Sequence, residues 1–215
     1  MEPEALIFDC DGTLLDTMPM WWPSWVATCA EFGLKKFTMA RFYALAGVPV
    51  PEILRIAAAE EDPPVPLDVE AALAFKKAFH LAAVADGTLG HPPRIAPVCA
   101  IVEAAHKAGT PLAVASSGTK AMVEGHLREA GMLGYFGAVV TTEDIVNQKP
   151  APDIYLEAAR RLGVEPAKCR AFEDADVGME SIRAAGMEAV DVRLMEGYPN
   201  PSMPAGVCVT AASPS

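Results

Sequence analysis

The apolar positions of the chain begin as a short strand pattern and then change to helical spacing. Four consecutive apolar residues, Ala5 to Phe8, precede a polar run that starts at Asp9. A short apolar run that ends in polar turn residues predicts a buried strand. From Trp21 to Phe32 the apolar residues recur every three or four positions until Gly33, which predicts a helix with a glycine at its end. Further helices are predicted over residues 37–45, 51–59 and 69–84.

Beyond Pro92 the strand and helix patterns alternate along the chain. The predicted helices cover residues 95–108, 119–130, 153–162 and 178–185, and the predicted strands cover residues 111–115, 138–141, 169–172 and 189–192. Such alternation is typical of parallel βαβ units. A weak apolar run at residues 206–209, in the proline-rich C-terminal segment, predicts one more strand at a sheet edge.

These patterns predict an α/β fold with a Rossmann-like, doubly wound parallel sheet. The first strand is separated from the others by roughly 70 residues of helical pattern, which is far too long for a structureless loop. We therefore predict that residues 1–16 and 87–215 form the core domain, and that residues 17–86 form an inserted helical cap domain.

Composition and charge narrow the classes of partner. The chain has 215 residues, 52% of them hydrophobic, with a net charge of -11, and an acidic surface without a basic patch argues against binding nucleic acid or an anionic membrane. No apolar run approaches the roughly 20 residues that span a bilayer. The five cysteines occur singly and no secretory leader is evident, which favours a reducing cytoplasm. We expect a cytoplasmic monomer.

Two carboxylates follow the first predicted strand. Asp9 and Asp11 flank Cys10, so strand alternation would point both carboxylates to the same side. Because like charges repel at this distance, the pair favours a neutralising cation, and oxygen ligands suit Mg²⁺. The alternative is that the two aspartates stabilise a turn, where Asp and Gly are common.

The second predicted strand ends in Ser116, Ser117 and Gly118 at the start of a helix. Free N–H groups and the helix dipole at such a position favour a bound phosphate. A simple Ser or Thr helix cap would explain the same residues.

Two further segments place charged residues before predicted helices. Lys149 precedes Pro150, and the strand at 169–172 runs into Glu173 and Asp174. The two acids are candidate oxygen ligands for a divalent cation, although acidic residues are also common at helix N-termini, and a single lysine is most often a surface residue.

Taken together and in order, these groups resemble the four motifs of the haloacid dehalogenase superfamily, in its branch of phosphatases and phosphomutases. The resemblance spans DCDGTLLDT, ASSGT, KPAPD and FEDADVGMESIRAAGM, which is nearly the whole chain, with a helical cap between the first two motifs. It is greatest to small phosphosugar phosphatases and β-phosphoglucomutases.

The resemblance implies a role for each motif residue and a Mg²⁺ cofactor. Asp9 would be the nucleophile that becomes an aspartyl phosphate, Asp11 the general acid/base, and Lys149 the positive charge beside them. The implied phosphate-binding residues are Asp9, Gly12, Ser116, Ser117, Gly118 and Lys149. The implied metal ligands are Asp9, Asp11, Asp174 and Glu173, with Glu173 alternatively orienting Lys149.

The cap departs from the same relatives. Val50 occupies the place of an arginine that holds a second phosphate in β-phosphoglucomutases, and Trp21 replaces a frequent histidine. Lys77, or its neighbour Lys76, matches a cap lysine that reaches the active site. The sequence therefore predicts a phosphatase for a small phosphorylated metabolite, most simply a sugar phosphate.

Other functions remain open at this point. A β-phosphoglucomutase-type phosphosugar mutase is the alternative enzyme, and a phosphate-binding module without activity is the alternative outside enzymes. Asp11 argues against a dehalogenase, because that branch lacks the second acid.

Overall fold

The computed structural model describes residues 2–45 and 48–199. Five strands form one sheet in the order β3-β2-β1-β4-β5, and every neighbouring pair is parallel. The strands are β1 (Ala5–Phe8), β2 (Leu112–Ala115), β3 (Ala138–Val140), β4 (Cys169–Glu173) and β5 (Glu188–Asp191). The predicted parallel sheet is confirmed, with the first strand at its centre.

Helices cover both faces of this sheet, as the prediction of a doubly wound core requires. The helices that follow the insert are α5 (Ala96–Lys107), α6 (Lys120–Glu129), α7 (Asp153–Leu162) and α8 (Asp176–Ala184). Leu6 and Phe8 of β1 pack in one hydrophobic cluster with residues of α5 and α6, whereas Ala5 and Ile7 pack in another with residues of α7 and α8. This division follows from the alternation of side chains along a strand.

The strand register determines which residues meet at the carboxyl edge of the sheet. Phe8 pairs with Val114 of β2 and with Phe172 of β4. The residues that follow these positions therefore leave the sheet side by side, and ligands of open α/β sheets bind at this edge.

The helices between β1 and α5 pack mainly on one another. They are α1 (Met18–Phe32), α2 (Met39–Ala44), α3 (Val50–Ala59) and α4 (Val69–Ala85). Trp25, Phe42 and Leu54 belong to a hydrophobic cluster made of residues from this insert, and α1 ends at Gly33 in a left-handed conformation, as its sequence predicts. A separate core in the insert supports our proposal that residues 17–86 are a cap domain.

Several boundaries differ from the sequence prediction. Strand β4 continues to Glu173 because that residue pairs with Asp191 of β5, and α8 begins at Asp176, ahead of the predicted start at Gly178. Residues 192–194 form a 3-10 helix where the prediction extends the last strand to Val192. The predicted strand at 206–209 lies outside the described residues. Within the described part of the chain, no helix has the length and hydropathy needed to cross a bilayer.

Candidate active site

A buried lysine joins two carboxylates from adjacent strands. The Lys149 Nζ atom lies 2.7 Å from Asp9 Oδ1 and 2.7 Å from Glu173 Oε2, and all three side chains are less than one tenth exposed. Asp9 follows β1 and Glu173 ends β4, so the parallel register brings these carboxylates together. The structure thus places three of the predicted site residues in one hydrogen-bonded group.

Glu173 has its hydrogen-bonding capacity filled by the protein. Its Oε2 atom accepts hydrogen bonds from Lys149 and from the Tyr155 hydroxyl at 2.7 Å, and its Oε1 atom accepts from the backbone N–H groups of Asp174 and Ala175 at 3.1 Å. An ionised carboxylate offers about four lone-pair sites, so these four donors use them. The arrangement favours the role of Glu173 in orienting Lys149 over direct metal ligation.

Tyr155 is a site residue that the sequence analysis missed. Its ring is part of the core beneath the sheet, and its hydroxyl is the donor that holds Glu173 from within the protein. Its position on the apolar face of α7 predicts only that it is a core residue. The fold then places its hydroxyl beside Glu173.

We expect Tyr155→Phe to destabilise the protein by about 1.5–3 kcal/mol, the usual contribution of a hydrogen bond to a charged group, because one oxygen of a buried carboxylate loses a donor. Urea unfolding measures this change. Tyr135→Phe is the matched control, since no hydrogen bond of its hydroxyl is found among the described residues, and we expect it to change stability by less than about 0.5 kcal/mol. Equal stability of wild type and Tyr155→Phe would contradict the assignment.

Asp174 approaches the first motif from β4. Its Oδ1 atom accepts a hydrogen bond of 3.0 Å from the Thr13 hydroxyl, and Gly12 lies against the same carboxylate with φ +92°. A Cβ atom at Gly12 would lie within 2.8 Å of Asp174 Oδ1, so a side chain there would displace the carboxylate. Glycine is therefore needed at this position for both its conformation and the close approach.

Ser116 and Asp11 meet on the other side of Asp9. The Ser116 hydroxyl donates to Asp11 Oδ2 at 3.4 Å and accepts from the Gly118 N–H at 3.1 Å. A Cβ atom on Gly118 would lie 3.7 Å from Asp11 Oδ2, so this turn directly borders the carboxylate. Ser117 is exposed in the same turn. The second motif thus lies beside the first, because β2 and β1 are neighbours in the sheet.

His126 also borders Asp11, although sequence reasoning assigned it no role. Its Nδ1 atom lies 4.0 Å from Asp11 Oδ1 and is buried without a hydrogen-bond partner among the described residues. A lone histidine on an amphipathic helix gives no sequence signal of this position, which depends on how α6 packs against the sheet.

The site carries more negative than positive charge. Burial and the Glu173 carboxylate raise the pKa of Asp9 well above its usual value, and the same two causes raise the pKa of Asp174 to about 7. Burial alone would lower the pKa of Lys149, but Asp9, Tyr155 and Glu173 together raise it well above its usual value. One ammonium group therefore does not compensate the surrounding carboxylates.

This charge excess matches the needs of a divalent cation. Oxygen atoms of Asp9, Glu173 and Asp174 lie within 4.8 Å of one another, and hard cations such as Mg²⁺ prefer oxygen ligands. Since Glu173 is already fully hydrogen-bonded, Asp9 and Asp174 are the side chains of this group with capacity for a metal.

The helices of the insert and helix α6 enclose a cleft near Asp11. Its lining includes Val50, Lys76, Lys77 and Trp21 of the insert together with His126 of α6. Lys77, the predicted substrate-binding lysine, is exposed, whereas Lys76 is buried. The sequence could not distinguish the two lysines, because either one could match the cap lysine of the relatives. The packing of α4 shows that they differ in burial.

Comparisons with known proteins identify a family that this chain resembles along most of its length. Residues 6–192 match the haloacid dehalogenase-like hydrolase family. Fructose-1-phosphate phosphatase YqaB from Escherichia coli is 38% identical over 195 residues, which are 89% of this chain and 97% of the relative.

Two crystal structures extend the likeness to the fold. A haloacid dehalogenase family hydrolase from Deinococcus radiodurans with bound phosphate and sodium has a TM-score of 0.72 at 26% identity, covering 92% of this chain and 83% of the other. The protein CbbY from Rhodobacter sphaeroides, in complex with xylulose-(1,5)bisphosphate, has a TM-score of 0.62 at 26% identity, covering 87% and 84%. With its four motif segments gathered at one sheet edge, the chain belongs to the haloacid dehalogenase-like hydrolases.

Proposed function

We propose that this hydrolase is a Mg²⁺-dependent phosphatase that acts on a small phosphorylated metabolite, a sugar phosphate, through an aspartyl-phosphate intermediate. The observation that carries the proposal is the pairing of buried Asp9 with Lys149 at the end of β1, with Asp11 and, from the end of β2, Ser116 hydrogen-bonded to each other nearby. The activity named for the relative from Escherichia coli, a fructose-1-phosphate phosphatase, supports the same reaction class.

Asp9 is the proposed nucleophile. Lys149 binds its Oδ1 atom, whereas Oδ2 has no hydrogen-bond partner among the described residues, so one oxygen is held while the other can attack phosphorus. Attack forms an Asp9–phosphorus bond and breaks the ester P–O bond. The positive charge of Lys149 offsets the charge that collects between the carboxylate and the phosphoryl group.

Asp11 is the proposed general acid/base. Its side chain is about one third exposed and lies between Ser116 and His126, so a substrate and water can reach it. In the first step Asp11 gives its proton to the leaving alkoxide. In the second step it takes a proton from the water that attacks the aspartyl phosphate, which releases phosphate and restores Asp9.

The phosphoryl oxygens would bind at the turn before α6. The Ser116 hydroxyl and the Ser117 backbone N–H lie in this turn together with Gly118, whose own N–H already donates to Ser116 Oγ, and a helix N-terminus favours anions. Gly12 completes the opposite side of the same space, where a larger residue would displace Asp174.

Asp9, Asp174 and the backbone carbonyl of Asp11 would hold Mg²⁺. Asp9 and Asp174 suit this role because the single ammonium group nearby does not compensate their charge. The lone pairs of Glu173, by contrast, are already used by four hydrogen-bond donors. When bound, Mg²⁺ would supply positive charge that lets the phosphate dianion approach a carboxylate.

Location and assembly belong to the same proposal. The described cysteines, Cys10, Cys29, Cys99 and Cys169, are free of disulfides, which is compatible with a reducing cytoplasm. We propose a cytoplasmic monomer, which size-exclusion chromatography and cell fractionation would test.

A screen of phosphorylated metabolites for phosphate release, with Mg²⁺ and with chelator, tests the proposed function. Adding β-glucose-1-phosphate with a catalytic sugar bisphosphate separates the mutase alternative, because a mutase forms glucose-6-phosphate. We expect phosphate release to exceed mutase turnover. Faster interconversion of hexose phosphates than phosphate release would contradict the phosphatase proposal.

Substituting Val50 tests why we expect phosphate release to exceed mutase turnover. It lines the cleft and offers no charge to a second phosphate, so we expect Val50→Arg to improve the binding of a sugar bisphosphate about tenfold more than that of a monophosphate. Inhibition constants for the two ligands measure the effect. Val26→Arg, on the exposed side of α1, is the matched control and should leave both constants unchanged. Equal gains for both ligands would contradict the prediction.

A further inference from the structure

The cleft beside Asp11 has a largely apolar wall. Its volume is about 390 Å³, and Met20, Trp21, Val50, Leu73 and Met122 contribute carbon surface to it. Hydroxyl groups buried against such a wall lose their hydrogen bonds to water, which is unfavourable unless the protein replaces them. A leaving group, a sugar included, therefore fits this wall where it presents a carbon face and keeps its hydroxyl groups hydrogen-bonded elsewhere.

The cleft also contains a buried cation without an anionic partner. Lys76 is only 5% exposed, and among the described residues it has neither a salt bridge nor a hydrogen bond. Its Nζ atom lies 5.0 Å from the Trp21 ring centroid and 4.8 Å from that of Trp25. Cation–π contacts of this kind stabilise an ammonium group partially, and they leave its N–H donors available.

The charges around Lys76 are those of an anion site. The described residues that line the cleft include Lys77, His80 and His126 but no carboxylate, although the protein as a whole carries a net charge of -11. Because burial is not offset by a carboxylate, the pKa of Lys76 falls to about 8. At neutral pH the group remains mostly protonated, so it can bind an anion.

The cleft adjoins the proposed reaction centre at His126. His126 lines the cleft and its Nδ1 atom lies 4.0 Å from Asp11 Oδ1. Asp11 is the residue that would protonate the leaving alkoxide, so the leaving group of a bound substrate extends from Asp11 into the space that Lys76 faces.

Building on the proposed phosphatase activity, we infer that the leaving group carries a carboxylate and that Lys76 binds it. The substrate class is then a phosphate monoester of a hydroxy acid, which includes phosphorylated sugar acids. A single ammonium group matches the single charge of a carboxylate. The carbon wall takes the chain between the carboxylate and the phosphate.

Two matched substrate pairs test this inference. 3-Phosphoglycerate and glycerol 3-phosphate differ in a carboxylate against a hydroxymethyl group, and so do 6-phosphogluconate and glucitol 6-phosphate. For at least one pair we expect wild type to show a kcat/KM for the acid about tenfold or more above that for the alcohol, carried mainly by KM. A preference for the alcohol in both pairs, or equal values, overturns the inference.

Variants then assign the preference to the residue. Lys76→Met keeps the apolar stem and removes the charge, so we expect the ratio of acid to alcohol to fall by about tenfold, and Lys76→Arg to retain most of it. Lys35→Met removes an exposed lysine outside the cleft and is the matched control, which should keep the wild-type ratio, and Lys77→Met should lower the ratio less than Lys76→Met does. A ratio that survives in a folded Lys76→Met protein, or that falls with Lys77→Met instead, overturns the assignment to Lys76.

Wild-type turnover of p-nitrophenyl phosphate separates failure of the carboxylate preference from failure of the phosphatase activity, because its leaving group has no carboxylate. Phosphate release from this ester together with no preference for acids leaves the phosphatase proposal standing and refutes only the inference. No release from any of the esters refutes both.

Discussion

Replacing Asp9 with asparagine should lower phosphatase turnover by at least about a thousandfold, because an amide cannot act as the nucleophile that an acyl phosphate requires. The fold should survive, since asparagine has nearly the same volume and Lys149 keeps its 2.7 Å contact with Glu173. Steady-state phosphate release measures the loss, and thermal unfolding checks the fold.

Two controls make this result specific. Asp9→Ala excludes slow deamidation of the asparagine as a source of residual activity. Asp176→Asn, an exposed acid paired with Arg193, should retain activity within about twofold, as expected for a surface substitution. Retention of even a tenth of wild-type turnover by Asp9→Asn would refute the nucleophile assignment.

Removing Mg²⁺ should abolish turnover and also make stability depend on pH. The pKa of Asp174 is raised from its ordinary value of 3.8 to about 7 by burial and by Glu173, so between these values the folded metal-free protein holds more protons than the unfolded chain. Stability therefore falls as the pH rises. From pH 5.5 to pH 8 we expect Asp174 alone to lower the free energy of unfolding by about 2 kcal/mol.

Thermal and urea unfolding with chelator and with Mg²⁺ measure this effect. Mg²⁺ should restore activity, and it should stabilise the protein more at pH 8 than at pH 5.5. Asp174→Asn should flatten the pH dependence of the metal-free protein and raise the Mg²⁺ requirement beyond the about 10–100-fold that loss of an outer-shell partner causes. Asp176→Asn should keep the wild-type response. Full activity in chelator would exclude the proposed metal site.

The parallel sheet was predictable because each strand and helix is encoded locally. Apolar runs of strand length alternate with helical patterns after Pro92, and this alternation leads directly to the parallel sheet that the structure contains. The helical insert was equally visible, since no strand pattern interrupts it. Boundaries shifted where a tertiary contact decided them, as at Glu173, whose pairing with Asp191 extends β4.

The motif residues could be named from sequence because they occupy fixed places after strands. Parallel strands bring their carboxyl ends to one edge, and the strand pairing places Asp9, Ser116 and Glu173 at that edge. Their chemical roles still depend on the resemblance to a family and remain predictions for the experiments above.

The sequence alone determined the alternation of strands and helices, the helical insert and the identity of the strand-end residues, because periodicity and spacing are properties of neighbouring positions. Only the tertiary structure decided that Tyr155 satisfies Glu173, that His126 borders Asp11, and that Lys76 rather than Lys77 is buried against the tryptophans. These contacts join residues from separate elements, so they depend on how helices pack on the sheet and on one another. A local stretch of sequence does not specify that packing.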